Sequence, residues 1–328
     1  MTNFNIFLKI IFVYILLYSG IAPAQEKYRF EFAGEIGSKG IAPGQMQSPQ
    51  GISVDFNGDI YIADTGNNRI QKFSSNGRFM IDKGGFGWED EQFDQPVDIY
   101  AERGLDVLVS DKNNNRVIRY DRNLNFISTT NVENFSRENF RFQFPLGLTS
   151  TALGDIFVID SENNRVVKIN SFGKPDMEFG GYGSSGETLV QPERIAVFRT
   201  ERIYISDKGK KSVAVYDYFG NYLSSIGDGL LEEPEGITLD SAENLYVCDP
   251  QLKKICMFSS RGVLLAELSD DRLGEPADAA VFNDRLYIAD AENSYVLIFL
   301  KKFSFSPRCR NLAGSRSNVN PSLVLFSP

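Results

Sequence analysis

The stretch that decides the fold is PQGISVDFNGDIYIAD, residues 49–64. It returns as PLGLTSTALGDIFVID at residues 145–160 and as PEGITLDSAENLYVCD at residues 234–249. Each copy contains short runs of β-branched and aromatic residues separated by Gly, Asn and Asp, a pattern typical of antiparallel strands joined by tight turns. The chain therefore contains a repeated β-rich unit.

Two sequence markers give the period of this unit. A proline opens each copy, with spacings of 47, 49, 47, 42 and 42 residues, and an aspartate closes its second β-rich run, with spacings of 47, 49, 47, 42 and 41. Because the two markers recur with nearly the same spacings, they indicate six copies of a single structural unit. The prolines are Pro49, Pro96, Pro145, Pro192, Pro234 and Pro276, and the aspartates are Asp64, Asp111, Asp160, Asp207, Asp249 and Asp290.

A four-stranded unit of this length cannot bury both faces of its sheet alone, and radial stacking around an axis solves that problem. We therefore predict an all-β fold, a six-bladed β-propeller of four-stranded antiparallel blades. The sixth copy lacks a convincing fourth strand, but residues 28–32 (YRFEF) near the N-terminus offer one. We expect this N-terminal strand to complete the last blade and close the ring, since closure removes two free sheet edges.

The first copy reads Pro-x-Gly-Ile-x-Val-Asp, followed by Gly-x-Ile-Tyr-Ile-Ala-Asp-x-x-Asn-x-Arg-Ile. This sequence pattern resembles the NHL repeat. The resemblance extends over about residues 28–300 and implies a six-bladed propeller. NHL propellers serve as protein-binding, RNA-binding and enzymatic platforms, so the resemblance implies a fold more than a function.

Composition narrows the chemistry that the chain can perform. Its 328 residues include no histidine, which excludes a Ser-His-Asp triad, a histidine general base and a histidine-ligated metal. Residues 25–300 carry 28 Lys and Arg against 43 Asp and Glu, a formal charge of −15. Because nucleic acids and anionic membranes are bound by basic surfaces, such an acidic core disfavours both as partners.

The N-terminal segment has the features of a secretory signal peptide. Residues 6–17 are apolar except for Lys9, and Ala22-Pro23-Ala24 supplies a small-x-small cleavage pattern. An uncleaved anchor is the alternative, although the uninterrupted apolar run is short for a membrane span, and no later segment is long and apolar enough to span. We expect a secreted or periplasmic monomer with a signal peptide at residues 1–24, a propeller at 25–300 and a flexible basic tail at 301–328.

The polar turn after the second strand has the motif Asp-x-x-Asn-x-Arg in the first three units, and the motif is incomplete in the other three. Asp and Asn cap turn amides, and Arg bridges to carboxylates or carbonyls. An ion-binding ring is the alternative to a hairpin staple, but a staple explains why the aspartate recurs in every unit. The intact motifs are Asp64, Asn67 and Arg69; Asp111, Asn114 and Arg116; and Asp160, Asn163 and Arg165.

A candidate site lies where the repeat is broken, two residues after the proline. Glycine there permits close backbone approach, whereas a charged replacement must be solvated or paired. Glu193 and Glu235 add charge beside it, so we predict an acidic ligand site at one end of the central channel. Its charges either pair with one another, hold Ca²⁺ through Asp98 and Asp278, or bind a cationic or hydroxyl-rich ligand. The position holds Gly51, Gly147 and Gly236 in units one, three and five, and Asp98, Arg194 and Asp278 in units two, four and six.

Glycine-rich segments at residues 84–87 and 180–183 connect consecutive units. Neither opens a helix after a strand, so we predict turns and not phosphate-binding loops. Aromatic residues lie in these connections, among them Trp88, the only tryptophan. Trp88 either packs on the next blade or contacts a partner, and we include it among the candidate ligand-binding residues.

The three cysteines fit no zinc-binding spacing. Cys248 and Cys256 flank one predicted hairpin turn, and export would permit a disulfide between them. Neighbouring strands do not automatically provide disulfide geometry, so we expect two buried free thiols. Cys309 stands alone in the basic tail.

Two classes of function remain. We favour an exported, non-enzymatic binding scaffold without a cofactor, whose partner is a protein, a peptide or a saccharide. The alternative is a carboxylate- and Ca²⁺-dependent hydrolase or lyase of the lactonase-like class. Six-bladed relatives of that class commonly rely on histidine, which this chain lacks, and an RNA-binding role would require a basic face.

Overall fold

A computed structural model of the chain describes residues 27–102, 106–131, 142–183 and 187–304. Within these residues, 24 strands form six four-stranded sheets, and one turn of 3-10 helix occurs at Thr65–Asn67. The innermost strand of each sheet contacts the innermost strand of the next, all the way around a ring. The predicted six-bladed propeller is therefore confirmed.

The strands follow the chain from the innermost to the outermost position of each blade. In chain order they are β1 (Lys27–Ile36), outermost in blade six; β2 (Gly51–Val54), β3 (Ile60–Asp64), β4 (Arg69–Phe73) and β5 (Phe79–Gly84) in blade one; β6 (Pro96–Tyr100), β7 (Asp106–Asp111), β8 (Arg116–Asp121) and β9 (Phe126–Asn131) in blade two; β10 (Pro145–Ser150), β11 (Ile156–Asp160), β12 (Arg165–Ile169) and β13 (Pro175–Phe179) in blade three; β14 (Pro192–Phe198), β15 (Arg202–Asp207), β16 (Ser212–Asp217) and β17 (Tyr222–Ile226) in blade four; β18 (Ile237–Leu239), β19 (Leu245–Asp249), β20 (Lys254–Phe258) and β21 (Leu264–Leu268) in blade five; and β22 (Pro276–Phe282), β23 (Arg285–Asp290) and β24 (Tyr295–Ser304) in blade six.

The ring closes as the sequence predicts. Blade six has the strand order β1-β24-β23-β22, so the N-terminal strand β1 lies beside β24, the last strand among the described residues. Strand β24 continues to Ser304, so the first four residues of the predicted tail are strand. Residues 29–302 form one compact unit. The predicted signal peptide, most of the tail and Cys309 lie outside the described residues.

The hydrophobic core lies between blades. In one cluster Ile52 and Ile62 of blade one pack with Ala289 and Val296 of blade six. Every residue of β3 and of β19 is buried, which explains their continuous runs of Ile, Tyr, Val and Leu. Each blade therefore depends on its neighbours for burial. Among the described residues, no helix is long and apolar enough to cross a membrane.

The recurring aspartate is a staple, as predicted. Its carboxylate is fully buried in each blade and accepts a backbone N–H from the connection that leads into that blade, as in Gln47 N to Asp64 Oδ1 at 2.7 Å. Asp64 Oδ2 also accepts from Arg69 Nε at 2.8 Å. Where the arginine is lost, the backbone contact persists, as in Val190 N to Asp207 Oδ2 at 2.9 Å. The aspartate thus recurs because it holds each connection onto its blade.

The two cysteines of blade five are buried free thiols, as expected. Cys248 lies opposite Ile255, and Cys256 lies opposite Val247. Because successive side chains of a strand alternate between faces, the two thiols belong to opposite faces of the sheet.

Candidate functional site: the central channel and the crossover face

The propeller has two ends with different loops. At one end lie the Asp turns and the crossovers, the connections from the outermost strand of one blade to the innermost strand of the next. We name this end the crossover face. The opposite end carries the tight turns between strands one and two and between strands three and four of each blade, and we name it the hairpin face. The six innermost strands line a central channel between the two.

The broken repeat position lies on the channel wall. A Cβ atom added to Gly51, Gly147 or Gly236 would lie 2.9, 2.6 or 2.3 Å from the Cα of Asp98, Arg194 or Asp278 respectively. Each glycine therefore makes room for the backbone of the charged residue on the following blade. This close approach is the role that the sequence predicts for glycine at this position.

Alanine at these glycines is expected to lower the free energy of unfolding in the order of the clashes, least for Gly51→Ala and most for Gly236→Ala. Overpacking a rigid interior costs about 1–3 kcal/mol. All three obstacles are backbone atoms, and Gly236→Ala should reach the upper end because its added Cβ would lie closest, 2.3 Å from the Cα of Asp278. Urea denaturation measures the series. Gly181→Ala, whose added Cβ would meet a side-chain atom at 3.1 Å, is the matched control. Equal stability of Gly236→Ala and Gly181→Ala would contradict this description.

Arg194 of β14 crosses the channel. Its Nη2 donates to the carbonyl of Gln50 at 2.8 Å and to that of Val97 at 2.9 Å, on blades one and two. The side chain is buried, and its Nε lies 3.9 Å from Asp98 Oδ1. One guanidinium therefore fills the channel and ties blade four to the opposite side of the ring.

The two aspartates link neighbouring blades. Asp98 Oδ2 accepts the N–H of Leu148 on blade three at 2.7 Å, and Asp278 Oδ2 accepts the N–H of Ile52 on blade one at 3.0 Å. Asp98 and Asp278 are only 5% and 4% exposed. The structure thus brings Asp98, Arg194 and Asp278 together, from alternate blades, into one buried group that we name the channel trio.

Burial shifts the pKa values of the two aspartates in the trio upward. Burial raises the pKa of Asp98, although Arg194 acts in the opposite direction. Burial and the charge of Asp98 raise the pKa of Asp278 to about 8, again against the effect of Arg194. Burial acts to lower the pKa of Arg194, but the two aspartates outweigh it and raise that pKa. The arginine therefore stays charged, and each of the two carboxyls holds its proton to a higher pH than a free aspartate does.

Glu193 and Glu235 precede Arg194 and Gly236 directly in the chain. Lys208 Nζ lies 2.9 Å from Glu235 Oε1. Burial raises the pKa of Glu193, and the charge of Glu235 adds to this increase while Arg194 opposes it. Sequence reasoning missed Lys208, whose only signal is its place directly after the staple Asp207.

The channel offers little room for a ligand. The space inside it is about 40 Å³, which suits a few water molecules and falls far below the roughly 300 Å³ of a small-molecule pocket. Among the described residues, no group of three or more Cys, Asp or Glu is arranged to hold a metal ion. Ca²⁺ at Asp98 and Asp278 would also compete with Arg194 and with the backbone N–H donors of these carboxylates. Ca²⁺ binding there stays a prediction.

Trp88 lies away from the trio, on the crossover into blade two. Its side chain is 73% exposed, so the alternative that it packs on the next blade is wrong. Its carbonyl accepts from Arg116 Nη1 at 2.9 Å. Phe86 on the same crossover is 68% exposed, and Ile41 on the crossover into blade one is 78% exposed. Tyr182 is fully exposed on the crossover into blade four. The crossover face therefore presents several large apolar side chains to solvent.

The fold and these sites define a closed six-bladed β-propeller with one repeated blade sequence. The NHL repeat family matches the chain at residues 46–73 and 142–169, which fall in blades one and three. The chain is therefore a six-bladed β-propeller that carries NHL-repeat sequences in two of its blades.

Two curated relatives share the repeat sequence. The chain is 41% identical over 58 residues to Protein brain tumor of Drosophila melanogaster, which covers 18% of this chain and 6% of that protein. It is 45% identical over 47 residues to the B-box type zinc finger protein ncl-1 of Caenorhabditis elegans, covering 14% and 6%. The matched stretches span about 6% of each relative's length, so the likeness concerns the repeat itself.

Solved structures share the fold at low sequence identity. Virginiamycin B lyase from Staphylococcus aureus is 15% identical, with a TM-score of 0.56 over 86% of this chain and 89% of the lyase. A catalytically inactive variant of that lyase, in which alanine replaces a histidine, was solved with quinupristin and is 13% identical, with a TM-score of 0.56 over 84% and 99%. A chain of the nidogen/laminin complex is 12% identical, with a TM-score of 0.60 over 77% and 97%.

Proposed function

We propose that this NHL-repeat propeller is an exported binding scaffold that engages a protein, peptide or saccharide partner through its crossover face. The observation that carries the proposal is the contrast between the two candidate sites. The channel is filled by Arg194, whereas the crossovers hold Ile41, Phe86, Trp88 and Tyr182 out to solvent. Large exposed aromatic residues are typical anchors of protein interfaces.

Two further observations support the proposal. The predicted signal peptide at residues 1–24 favours export. The nidogen/laminin structure holds a chain of similar fold in a complex between two proteins, which favours a protein partner over a saccharide.

Cross-linking mass spectrometry on cells that produce the protein tests the proposal. We expect cross-links from the crossover face to one recurring partner, lost in the double variant Trp88→Ala, Tyr182→Ala. The matched control is Phe172→Ala, Phe219→Ala, which removes two aromatic residues that are 87% and 77% exposed in hairpin-face turns. Cross-links that survive the first pair of substitutions and disappear with the second would refute binding through the crossover face.

A hydrolase or lyase is the second candidate, because virginiamycin B lyase shares the fold. Its histidine-to-alanine variant is described as catalytically inactive, and the present chain contains no histidine. This chain therefore cannot use a histidine as that lyase does. What remains for this candidate is Ca²⁺ held by carboxylates.

For the scaffold, we expect no heat of Ca²⁺ binding in calorimetry and a melting temperature that a chelator leaves unchanged. The reason is that the carboxylates of the channel trio are already occupied by Arg194 and by backbone N–H groups. The control is the Asp278→Asn variant, which removes one candidate Ca²⁺ ligand. Tight Ca²⁺ binding in the parent protein that this substitution abolishes would favour the enzyme instead.

A further inference from the structure

The crossovers into blades one and two enclose a groove between them. Its walls come from both crossovers and from the Asp turn of blade one, and its volume is about 460 Å³, within the range of ligand-binding clefts. We name it the crossover groove; it is lined by Ile41, Asn67, Arg69, Asp82, Gly84 and Glu91, among others. Resting on the proposed function, we infer that this groove docks a basic amphipathic segment of the partner protein.

The two crossovers have the same construction. Each runs from a glycine to a glutamine five residues later, Gly40 to Gln45 and Gly87 to Gln92. The glycines have φ of 155° and 154°, and a Cβ at either would lie within 2.2 Å of the glutamine side chain. The residue after each glycine is large, apolar and exposed, Ile41 in one crossover and Trp88 in the other. The same local design therefore directs an apolar side chain outward twice.

Both crossovers are held in place by the arginines of the Asp turns. Arg69 Nη2 donates to the carbonyls of Ala42 and Gln45 at 2.9 and 2.8 Å. Arg116 Nη2 donates to the carbonyls of Glu89 and Gln92, both at 2.8 Å. A surface that is already ordered loses little conformational entropy when a partner binds, so these apolar residues are suited to recognition.

Charge decides the kind of partner. Inside the groove the charges are paired, with Arg69 3.0 Å from Asp82 and Lys83 3.2 Å from Glu91. Beside Trp88, the exposed carboxylates of Glu89 and Asp90 have no ion pair among the described residues.

An exposed aromatic side chain followed in the chain by two exposed carboxylates suits a Lys or Arg side chain, through cation–π contact and charge attraction. Lys39 is exposed on the facing crossover and repels a basic partner locally. The formal charge of −15 over residues 25–300 outweighs this single charge and attracts basic partners from a distance. An apolar anchor combined with basic residues is therefore the matching chemistry.

Trp88 makes the test direct, because it is the only tryptophan and its fluorescence reports on this surface alone. The full chain is titrated with a short synthetic peptide of alternating Lys and Leu, and separately with the same peptide carrying Glu in place of Lys. We expect a saturable change of Trp88 emission with the Lys peptide that weakens as salt is added, and no change with the Glu peptide.

Matched variants separate docking at the groove from attraction to an acidic protein in general. Glu89→Gln with Asp90→Asn should weaken binding of the Lys peptide by about three- to tenfold, as expected for two exposed charge contacts. The same change of charge on the hairpin face, Glu201→Gln with Asp284→Asn, should leave affinity unchanged. Ile41→Ser should weaken binding without altering charge.

The outcomes distinguish this inference from the function on which it rests. An absent response to the Lys peptide, an equal response to the Glu peptide, or equal weakening by both pairs of charge variants overturns the inference. If cross-links still map to the crossover face in that case, the scaffold proposal stands. Cross-links confined to the hairpin face overturn the scaffold proposal whatever the peptides do.

Discussion

Replacing Arg194 by Met is expected to lower the free energy of unfolding by about 3–5 kcal/mol, the usual consequence of removing one partner from a buried ionic group. The substitution leaves the carbonyls of Gln50 and Val97 without their donor. It also removes the positive charge that opposes the raised pKa of Asp98 and Asp278. Urea denaturation at neutral pH measures the loss.

Two variants make the result on Arg194 interpretable. Arg202→Met removes an arginine whose side chain is 40% exposed and paired with Glu243, so it should cost less than about 1 kcal/mol. Arg194→Lys keeps the charge without the forked guanidinium and should lie between the two. If Arg194→Met were as mild as Arg202→Met, the guanidinium would not be the cross-channel tie described above.

Asp278→Asn is expected to change how stability depends on pH. In the parent protein, the native fold keeps a proton on Asp278 up to about pH 8, whereas the unfolded chain releases it near pH 3.8. Between these values the native state binds more protons, so the free energy of unfolding falls as pH rises, by at most about 1.4 kcal/mol per pH unit. Asparagine is neutral throughout and still accepts the N–H of Ile52, so this slope should disappear.

Unfolding midpoints in urea between pH 5 and pH 9 test this expectation. The Asp278→Asn variant should gain stability over the parent as pH rises, with the largest difference above pH 8. Asp284→Asn makes the same chemical change at an exposed position of the hairpin face and should run parallel to the parent. A curve for Asp278→Asn that also runs parallel to the parent would mean that Asp278 does not hold the proton.

The fold could be predicted because its determinants are local and repeated. The proline and the staple aspartate keep one spacing, and each blade repeats the same short strands. Ring closure followed from the missing fourth strand of the last copy. The channel trio was also visible, since charged residues replace glycine at one position of alternate copies. Strand spacing places equivalent positions at equivalent heights in a propeller, so these three residues were expected to meet.

Other features depend on geometry that only the closed ring supplies. The hydrogen bonds of Arg194 reach residues 144 and 97 positions away in the chain, across the channel. No local pattern indicates that reach, nor the contact of Lys208 with Glu235. The exposure of Trp88 was equally open from sequence, because a connection residue can fold inward or outward with the same neighbours.

The pairing of β1 with β24 has a consequence for how the protein folds. Strand β1 finds its partner only after β24, which is synthesised later, has appeared. Until then the earlier blades can assemble in order, but β1 and the open edge of blade six at β24 stay unpaired, and unpaired strand edges favour aggregation. Closing so long a loop is also a slow, non-local step. The native state should therefore be completed only after blade six has been synthesised. Truncation at either end of the propeller should impair folding in the same way, because it removes β1 or β24 from this strand pair.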